Sequence, residues 1–307
     1  MEASGVEALK DIGFEVNTKK IEQVELIHHI NEYDGIIIRS ATKVKRDLID
    51  AGQRLKFIAR GGVGLDNVDV AYAKEKGIEV INTPGSSSLS VAELAFAHIL
   101  SLSRGLQEQQ SRLNSAEDFS ALKKKYSQSS EVGGKKLLLI GFGRIAKELA
   151  KMCLGFNMKI QVNDPYLDRA ELEFEMCGQS ITTNFEMVDL RVGLPHSDFV
   201  SIHTPFMGKA ILGEEEFGLM KKSAFVINTS RGENIDETAL LVALNLDKIA
   251  GAGLDVFQNE PNVNPVLLSH PKISKSPHIG ASTLEAQERI AGELVGKIER
   301  LYKDLGN

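Results

Sequence analysis

Apolar residues fall along this chain in short clusters separated by polar stretches of helical length. That alternation predicts strands and helices in turn. In the first third, residues 5–12 have helical spacing, 14–16 read as a short strand and 21–30 are amphipathic. Ile36-Ile37-Ile38, residues 55–59 and residues 78–81 read as buried strands. The pattern starts again at Leu137-Leu138-Leu139-Ile140 and continues through 160–162, 199–203, 224–228 and 253–256, with helices expected between these strands. Such an order implies parallel sheets covered on both faces, hence an α/β chain with two doubly wound sheets. Two capping boxes mark helix starts. Ser90-Val91-Ala92-Glu93 opens an apolar helix running to about Arg104. Ser282-Thr283-Leu284-Glu285 opens a last one with Ile290, Leu294, Ile298 and Leu301 on one face. Residues 107–134 are polar and lack strong periodicity. No internal repeat stands out.

The most specific local signal is Gly141-Phe142-Gly143-Arg144-Ile145-Ala146. It follows the apolar run 137–140 and leads into the helical pattern 147–152. Strand, glycine turn and helix are the context of a dinucleotide-binding loop. Gly141 permits the tight turn. Gly143 lets a pyrophosphate approach the backbone, where helix N-terminal amides favour an anion. Asp164 stands 21 residues beyond Gly143, at the end of the next strand. A carboxylate there accepts the ribose hydroxyls and repels a 2′-phosphate, so NAD is expected over NADP.

A length of 307 residues exceeds what one hydrophobic core usually organises, so two domains are expected. A hydrophobic share of 42% with 25% charged residues fits a soluble globular chain. The net charge of −6 argues against sequence-independent nucleic-acid binding, and Lys123-Lys124-Lys125 reads as a solvated segment. No apolar run reaches the roughly 18 residues of a membrane span, and the N-terminus lacks a signal-peptide pattern, so no membrane partner is expected. Cys153 and Cys177 fit a reducing, cytoplasmic setting, with no structural disulfide expected.

Three residues near strand ends are candidates for chemistry: Arg231, Glu260 and His278. Ligands of open α/β sheets bind outside the carboxyl ends of strands. Hydride transfer at a hydroxyl-bearing carbon needs a group to move the hydroxyl proton, which suits His278. A neighbouring Glu260 would favour the imidazolium. Arg231 suits a bidentate grip on a carboxylate. His28 and His29 lie on a polar helix, and His98 reads as a satisfied core residue. The chain has no HExxH, paired CxxC or GxSxG, so no metal site and no serine hydrolysis are expected.

Motifs in order along nearly the whole chain resemble the D-isomer-specific 2-hydroxyacid dehydrogenase family. They are Arg39-Ser40-Ala41-Thr42-Lys43-Val44, residues 59–69, Asn82-Thr83-Pro84 with Val91-Ala92-Glu93, the glycine loop, His203-Thr204-Pro205, residues 227–232, Leu254-Asp255-Val256-Phe257 with Glu260-Pro261, and Pro277-His278-Ile279-Gly280-Ala281. The resemblance implies a flavodoxin-like substrate-binding domain of residues 1–83 plus 282–307. It implies a Rossmann NAD-binding domain of 84–281, with closure of the cleft between the two. It makes His278 the acid/base, Glu260 its partner and Arg231 the substrate anchor. Gly141, Gly143, Arg144, Ile145, Asp164, His203, Thr204, Pro205, Thr229 and Asp255 would line the cofactor, with Asp255 on the nicotinamide carboxamide. Arg39, Ser40, Arg60, Gly62, Val63 and Arg231 would hold the substrate, Gly62 and Val63 through backbone amides. Within the family the motifs are most like those of members acting on 3-phosphoglycerate, in which Arg39 and Arg60 would face the phosphate. A small 2-hydroxy or 2-oxo acid carrying a phosphate, and a homodimer or higher oligomer formed through the nucleotide domain, are expected from the same resemblance. A reductase of glyoxylate, hydroxypyruvate or another 2-oxo acid is the alternative, and an NAD-sensing binding protein a further one. Three departures are expected to matter. The resemblance leaves the family's first strand without a counterpart in the sequence given, makes the loop 206–213 shorter than expected, and finds no counterpart of the regulatory domains of longer members, so feedback by serine is not expected.

Overall fold

The computed structural model describes residues 1–304, and the chain divides into two units, Met1–Ser90 with Ala281–Asn307, and Val91–Gly280. Residues 305–307, the end of the expected 282–307 segment, lie outside the described residues. The division falls at 90/91 rather than 83/84. Residues 84–90 stay with the first unit because Ser86 bonds to the last helix: its Oγ donates to Arg289 O at 3.2 Å, and Arg289 Nε donates to Ser86 O at 2.9 Å.

In the first unit, β1 (Gly35–Ile38), β2 (Phe57–Arg60) and β3 (Glu79–Asn82) form a parallel sheet in that order. The register places Ile38 beside Arg60 and Arg60 beside Asn82. Alternate strand residues feed two cores. Ile38 and Ile58 join Leu26, Ile30, Val44 and Leu48 on one face. Phe57 and Ala59 join Leu9 and the Ile290, Leu294, Ile298 stripe of the helix Leu284–Asp304 on the other. That stripe confirms the amphipathic pattern of the sequence. The strand expected at 14–16 does not form: the segment is irregular. Phe14 and Val16 pack half-buried on the second core, but no neighbouring strand offers them a hydrogen-bond ladder. The last helix is capped one residue later than expected, by Thr283, whose Oγ1 accepts from Ala286 N–H at 3.2 Å.

The second unit is built on β4 (Lys136–Ile140), β5 (Lys159–Asn163), β6 (Ala170–Met176), β7 (Gln179–Met187), β8 (Phe199–Ile202), β9 (Phe225–Asn228), β10 (Gly251–Leu254) and β11 (Ile273–Lys275). Their order is β11-β10-β9-β8-β4-β5-β7-β6. All neighbours are parallel except β6 and β7. Strand order reverses between β4 and β8, so a crevice for a ligand opens at the C-terminal ends of those strands. Leu138 and Ile140 face one core with Val200, Ile202 and Val226; Leu137 and Leu139 face the other with Ala92, Ala95 and Ile99.

Three expectations for this unit are corrected. Residues 170–187 form an antiparallel hairpin, not a helix. Ala170, Leu172 and Phe174 alternate with Glu171, Glu173 and Glu175, a period of two, and Cys177 and Gly178 at the turn both have positive φ. The helix credited to Ser90 runs Ser88–Arg104, starting two residues earlier off a turn in which Ser88 N–H meets Gly85 O at 3.3 Å. The polar stretch 107–134 contains helices Leu106–Arg112 and Ala116–Lys125. Their support is tertiary: Glu108, only 6% exposed, accepts from Arg112 at 2.9 Å, Lys125 at 2.6 Å and Tyr126 at 2.6 Å. A buried carboxylate with three donors satisfies a charge that periodicity does not register.

Candidate active site

The glycine loop follows β4, and Gly141 takes φ 82°, which a glycine adopts without penalty. A Cβ there would also meet Thr204 Cγ2 at 2.5 Å. Gly143 is different: a Cβ would meet nothing within 4 Å, so open space lies over it. Gly143 is the N-cap of the helix Arg144–Gly155 and supplies no side-chain cap. The first-turn amides are therefore left for another acceptor. Arg144 is exposed and Ile145 half-buried at this end. Asp164, just past β5, accepts from Phe142 N–H at 2.9 Å and from Tyr166 N–H at 3.0 Å. It thus holds the glycine loop itself, a role the spacing did not reveal.

At the ends of β8 and β9, three buried polar atoms have no partner among the described residues: His203 Nδ1, Thr204 Oγ1 and Thr229 Oγ1. Buried polar atoms ordinarily have one. Burial pushes His203 down to about 3, so its ring is neutral, and Nε2 is 2.9 Å from Ser201 Oγ. Pro205 is exposed beside them. Unpartnered atoms, open space over Gly143 and uncapped amides fit a dinucleotide.

The turn after β9 is made by two asparagines, Asn228 inside the 227–232 motif and Asn234 beyond it. Asn228 Nδ2 donates to Arg231 O at 2.8 Å and its Oδ1 accepts from Ser230 N–H at 3.0 Å; Asn234 Nδ2 donates to Thr204 O at 2.9 Å. Such an Asx turn was the readable signal. Gly232 presses on the turn after β10, where a Cβ would lie 2.1 Å from Phe257 C. Arg231 is thereby held near Glu260 and His278, and its charge acts on both.

His278 Nδ1 is 2.7 Å from Glu260 Oε2, and Glu260 Oε1 accepts from Phe257 N–H at 2.9 Å. The bond to Glu260 raises the His278 pKa against the effect of desolvation, with the charges of Glu260 and Asp255 adding and Arg231 opposing. Desolvation pushes Glu260 up, but the His278 and Phe257 hydrogen bonds and the two cations outweigh it and hold the carboxyl below its usual range. With Nδ1 donating to Glu260, Nε2 is left to exchange a proton. Asp255, 1% exposed, accepts from Ile279 N–H at 2.9 Å, Gly280 N–H at 2.9 Å and Ser276 Oγ at 2.6 Å, while its carbonyl takes His278 N–H at 2.8 Å.

In the first unit, Arg39 and Ser40 leave β1 exposed, and Arg60 ends β2. Because Ile38 and Arg60 are register partners, the two arginines stand at the same end of adjacent strands. Gly62 does not offer its amide as expected: its N–H donates to Thr83 Oγ1 at 2.8 Å. That leaves the neighbouring Val63 N–H as the candidate donor. Gly62 instead makes room for Arg60, since a Cβ at its φ of 138° would lie 1.7 Å from Arg60 Nη1.

Among the described residues no group of His, Cys, Asp or Glu is placed to hold a metal ion, and no single helix is long and apolar enough to cross a membrane. Cys153 is buried, Cys177 exposed, and both are free. Residues 96–280 match the model of the D-isomer specific 2-hydroxyacid dehydrogenase NAD binding domain. A hydroxypyruvate reductase of Thermotoga maritima is 43% identical over 95% of this chain and 91% of its own length. A D-3-phosphoglycerate dehydrogenase of Methanocaldococcus jannaschii is 38% identical over 95% of this chain and 54% of its own, so the chain spans about half of that relative. Among solved structures, a D-lactate dehydrogenase from Aquifex aeolicus, complexed with NAD and lactic acid, superposes with a TM-score of 0.77 at 28% identity, covering 97% of this chain and 91% of its own. With the glycine loop, the carboxylate beyond it and a histidine–glutamate pair on one sheet, the match over most of the chain places it in the D-isomer specific 2-hydroxyacid dehydrogenase family.

Proposed function

We propose that the chain interconverts 3-phospho-D-glycerate and 3-phosphohydroxypyruvate with NAD. In oxidation, neutral His278 takes the hydroxyl proton on Nε2 while hydride leaves C2; in reduction, the imidazolium returns that proton to the carbonyl oxygen. NAD, when bound, supplies the hydride acceptor, and NADH the donor. Glu260 holds the ring through Nδ1 and stabilises its charge. Arg231 grips the substrate carboxylate and polarises the carbonyl. Gly141, Gly143, Arg144, Ile145, Asp164, His203, Thr204, Pro205, Thr229 and Asp255 would hold the dinucleotide. The substrate choice rests on one observation, the placement of Arg39 and Arg60 at the same end of adjacent strands. Two guanidinium groups suit a phosphate dianion. Hydroxypyruvate reduction is the second reading, favoured by the relative of that name that this chain matches over 91% of its length. A homo-oligomer through the nucleotide unit belongs to the same proposal; Leu106, Leu113 and Phe119 are exposed on the segment that would meet the partner.

Initial rates of NADH oxidation with 3-phosphohydroxypyruvate, hydroxypyruvate, glyoxylate and pyruvate separate the two readings. A preference of about a hundredfold for the phosphorylated acid, about 2.7 kcal/mol of selective transition-state binding, is expected. Arg60→Ala should raise KM for that substrate far more than for hydroxypyruvate. Equal or faster reduction of hydroxypyruvate would move the assignment to the second reading.

A further inference from the structure

The helix Ser88–Arg104 buries a histidine in its apolar face. His98 is 4% exposed and lies against Gly253 of β10, where a Cβ would come within 2.7 Å of His98 Cβ. Glycine at 253 lets the imidazole reach the sheet. Both ring nitrogens are engaged: Nδ1 is 2.8 Å from Ser274 Oγ and Nε2 is 3.1 Å from Ser276 Oγ. Ser276 Oγ is also 2.6 Å from Asp255 Oδ1.

The proton positions follow from what each group can do. A carboxylate only accepts, so Ser276 donates its hydroxyl proton to Asp255. Its oxygen then accepts from His98, which must carry a proton on Nε2. Burial lowers the His98 pKa, the charge of Asp255 opposing, so the ring is neutral at neutral pH. Nδ1 is then an acceptor, and Ser274 donates to it. The result is a one-way chain, Ser274 to His98 to Ser276 to Asp255, with Ser274, His98 and Asp255 buried, Ser276 half-buried and a partner at every link. It ends on the carboxylate that also takes the amides of Ile279 and Gly280, next to His278.

We infer that His98 is a positioning residue: through Ser276 it fixes the orientation of the Asp255 carboxylate, and with it the turn 278–280 that presents the acid/base. This deepens the dehydrogenase reading and rests on it for the contact of Asp255 with the nicotinamide carboxamide. Ser276 alone could rotate its proton elsewhere. The His98 donor removes that freedom, which is the use of an outer hydrogen bond in holding reacting groups to fractions of an ångström.

The test compares His98→Leu with His98→Gln in the full chain. The glutamine amide nitrogen can take the place of Nε2; leucine fills the space without a donor. His98→Leu should lose about tenfold in kcat with little change in NADH affinity by fluorescence titration, and His98→Gln should recover most of the loss. Equal losses in both variants, tracking a fall in melting temperature, would reduce His98 to packing and overturn the inference. Undiminished kcat in His98→Leu would do the same. Nitrogen-15 NMR of histidine-labelled protein without cofactor gives a readout independent of turnover. His98 should be the Nε2–H tautomer, and Ser276→Ala should shift that resonance. An Nδ1–H tautomer sinks the relay even in an active enzyme. A wild type inactive on every 2-oxo acid sinks the dehydrogenase reading, with the tautomer still judging the relay.

Discussion

His278 has φ 54°, in the left-handed region that only a few per cent of non-glycine residues enter. The Asp255 carbonyl and carboxylate hold the turn there, so the ring sits where Glu260 can bond it. The raised His278 pKa sets the sign of the pH response. Reduction needs the imidazolium and is lost as pH rises through that pKa; oxidation needs the neutral ring and is lost as pH falls through it. Glu260→Gln removes the main raising influence. Both limbs should therefore move to lower pH, read from kcat/KM profiles in the two directions, and unmoved limbs would remove Glu260 from that role. The same pair contributes to folding only within a window. The Glu260 share is present above the unfolded carboxyl range and lost as pH falls through the depressed pKa; the His278 share is lost as pH rises through the raised one. Gly232 is the residue whose replacement reports on closeness of the two turns. Gly232→Ala puts a methyl group into the Phe257 backbone. A displacement of about 1 Å at Arg231 should cost about 10²-fold in kcat/KM. Normal kinetics would show that the turns can separate without consequence.

The hairpin β6–β7 is the element that departs most from a repeating strand–helix order. Its inner face joins the core that Leu137 and Leu139 face: Leu172 is 1% exposed, and Phe185 meets Phe142 of the glycine loop edge-on at 5.6 Å. Leu172→Ala should cost about 2–5 kcal/mol, measured by urea unfolding. A cost under about 0.5 kcal/mol would mean that the hairpin unfolds apart from the sheet. The alternation of Leu172 and Phe174 with Glu173 and Glu175 was legible in the sequence, and the Cys177-Gly178 turn with it. An unbroken strand–helix repeat would put a helix there; the period of two specifies a hairpin instead. The segment 14–16 failed for the opposite reason. Its composition suits a strand, but a strand exists only beside a partner. The helices of 106–125 are hard to read from the sequence because Glu108 meets Lys125 and Tyr126, 17 and 18 residues on, only in space.

For the whole molecule, cofactor binding links site to stability. NADH at a hundred times its Kd should stabilise the protein by about 2.7 kcal/mol, visible as a rise in melting temperature, with NADPH giving less. Asp164→Asn removes the charge but keeps an acceptor for Phe142 N–H. The variant should fold, and the gap between NADH and NADPH should narrow. An unchanged gap would place cofactor choice elsewhere.

By itself the sequence determined the α/β class and the nucleotide loop and singled out Arg231, Glu260 and His278 as candidates, because these are carried by local period, glycine placement and short motifs. Only the tertiary structure decided that Gly62 gives its amide to Thr83, that Asp164 ties down the glycine loop, and that His98 reaches Asp255 through Ser276. Each of these depends on a donor and an acceptor brought together by packing from positions 21 to 178 residues apart. No pattern of neighbours along the chain encodes such a pair.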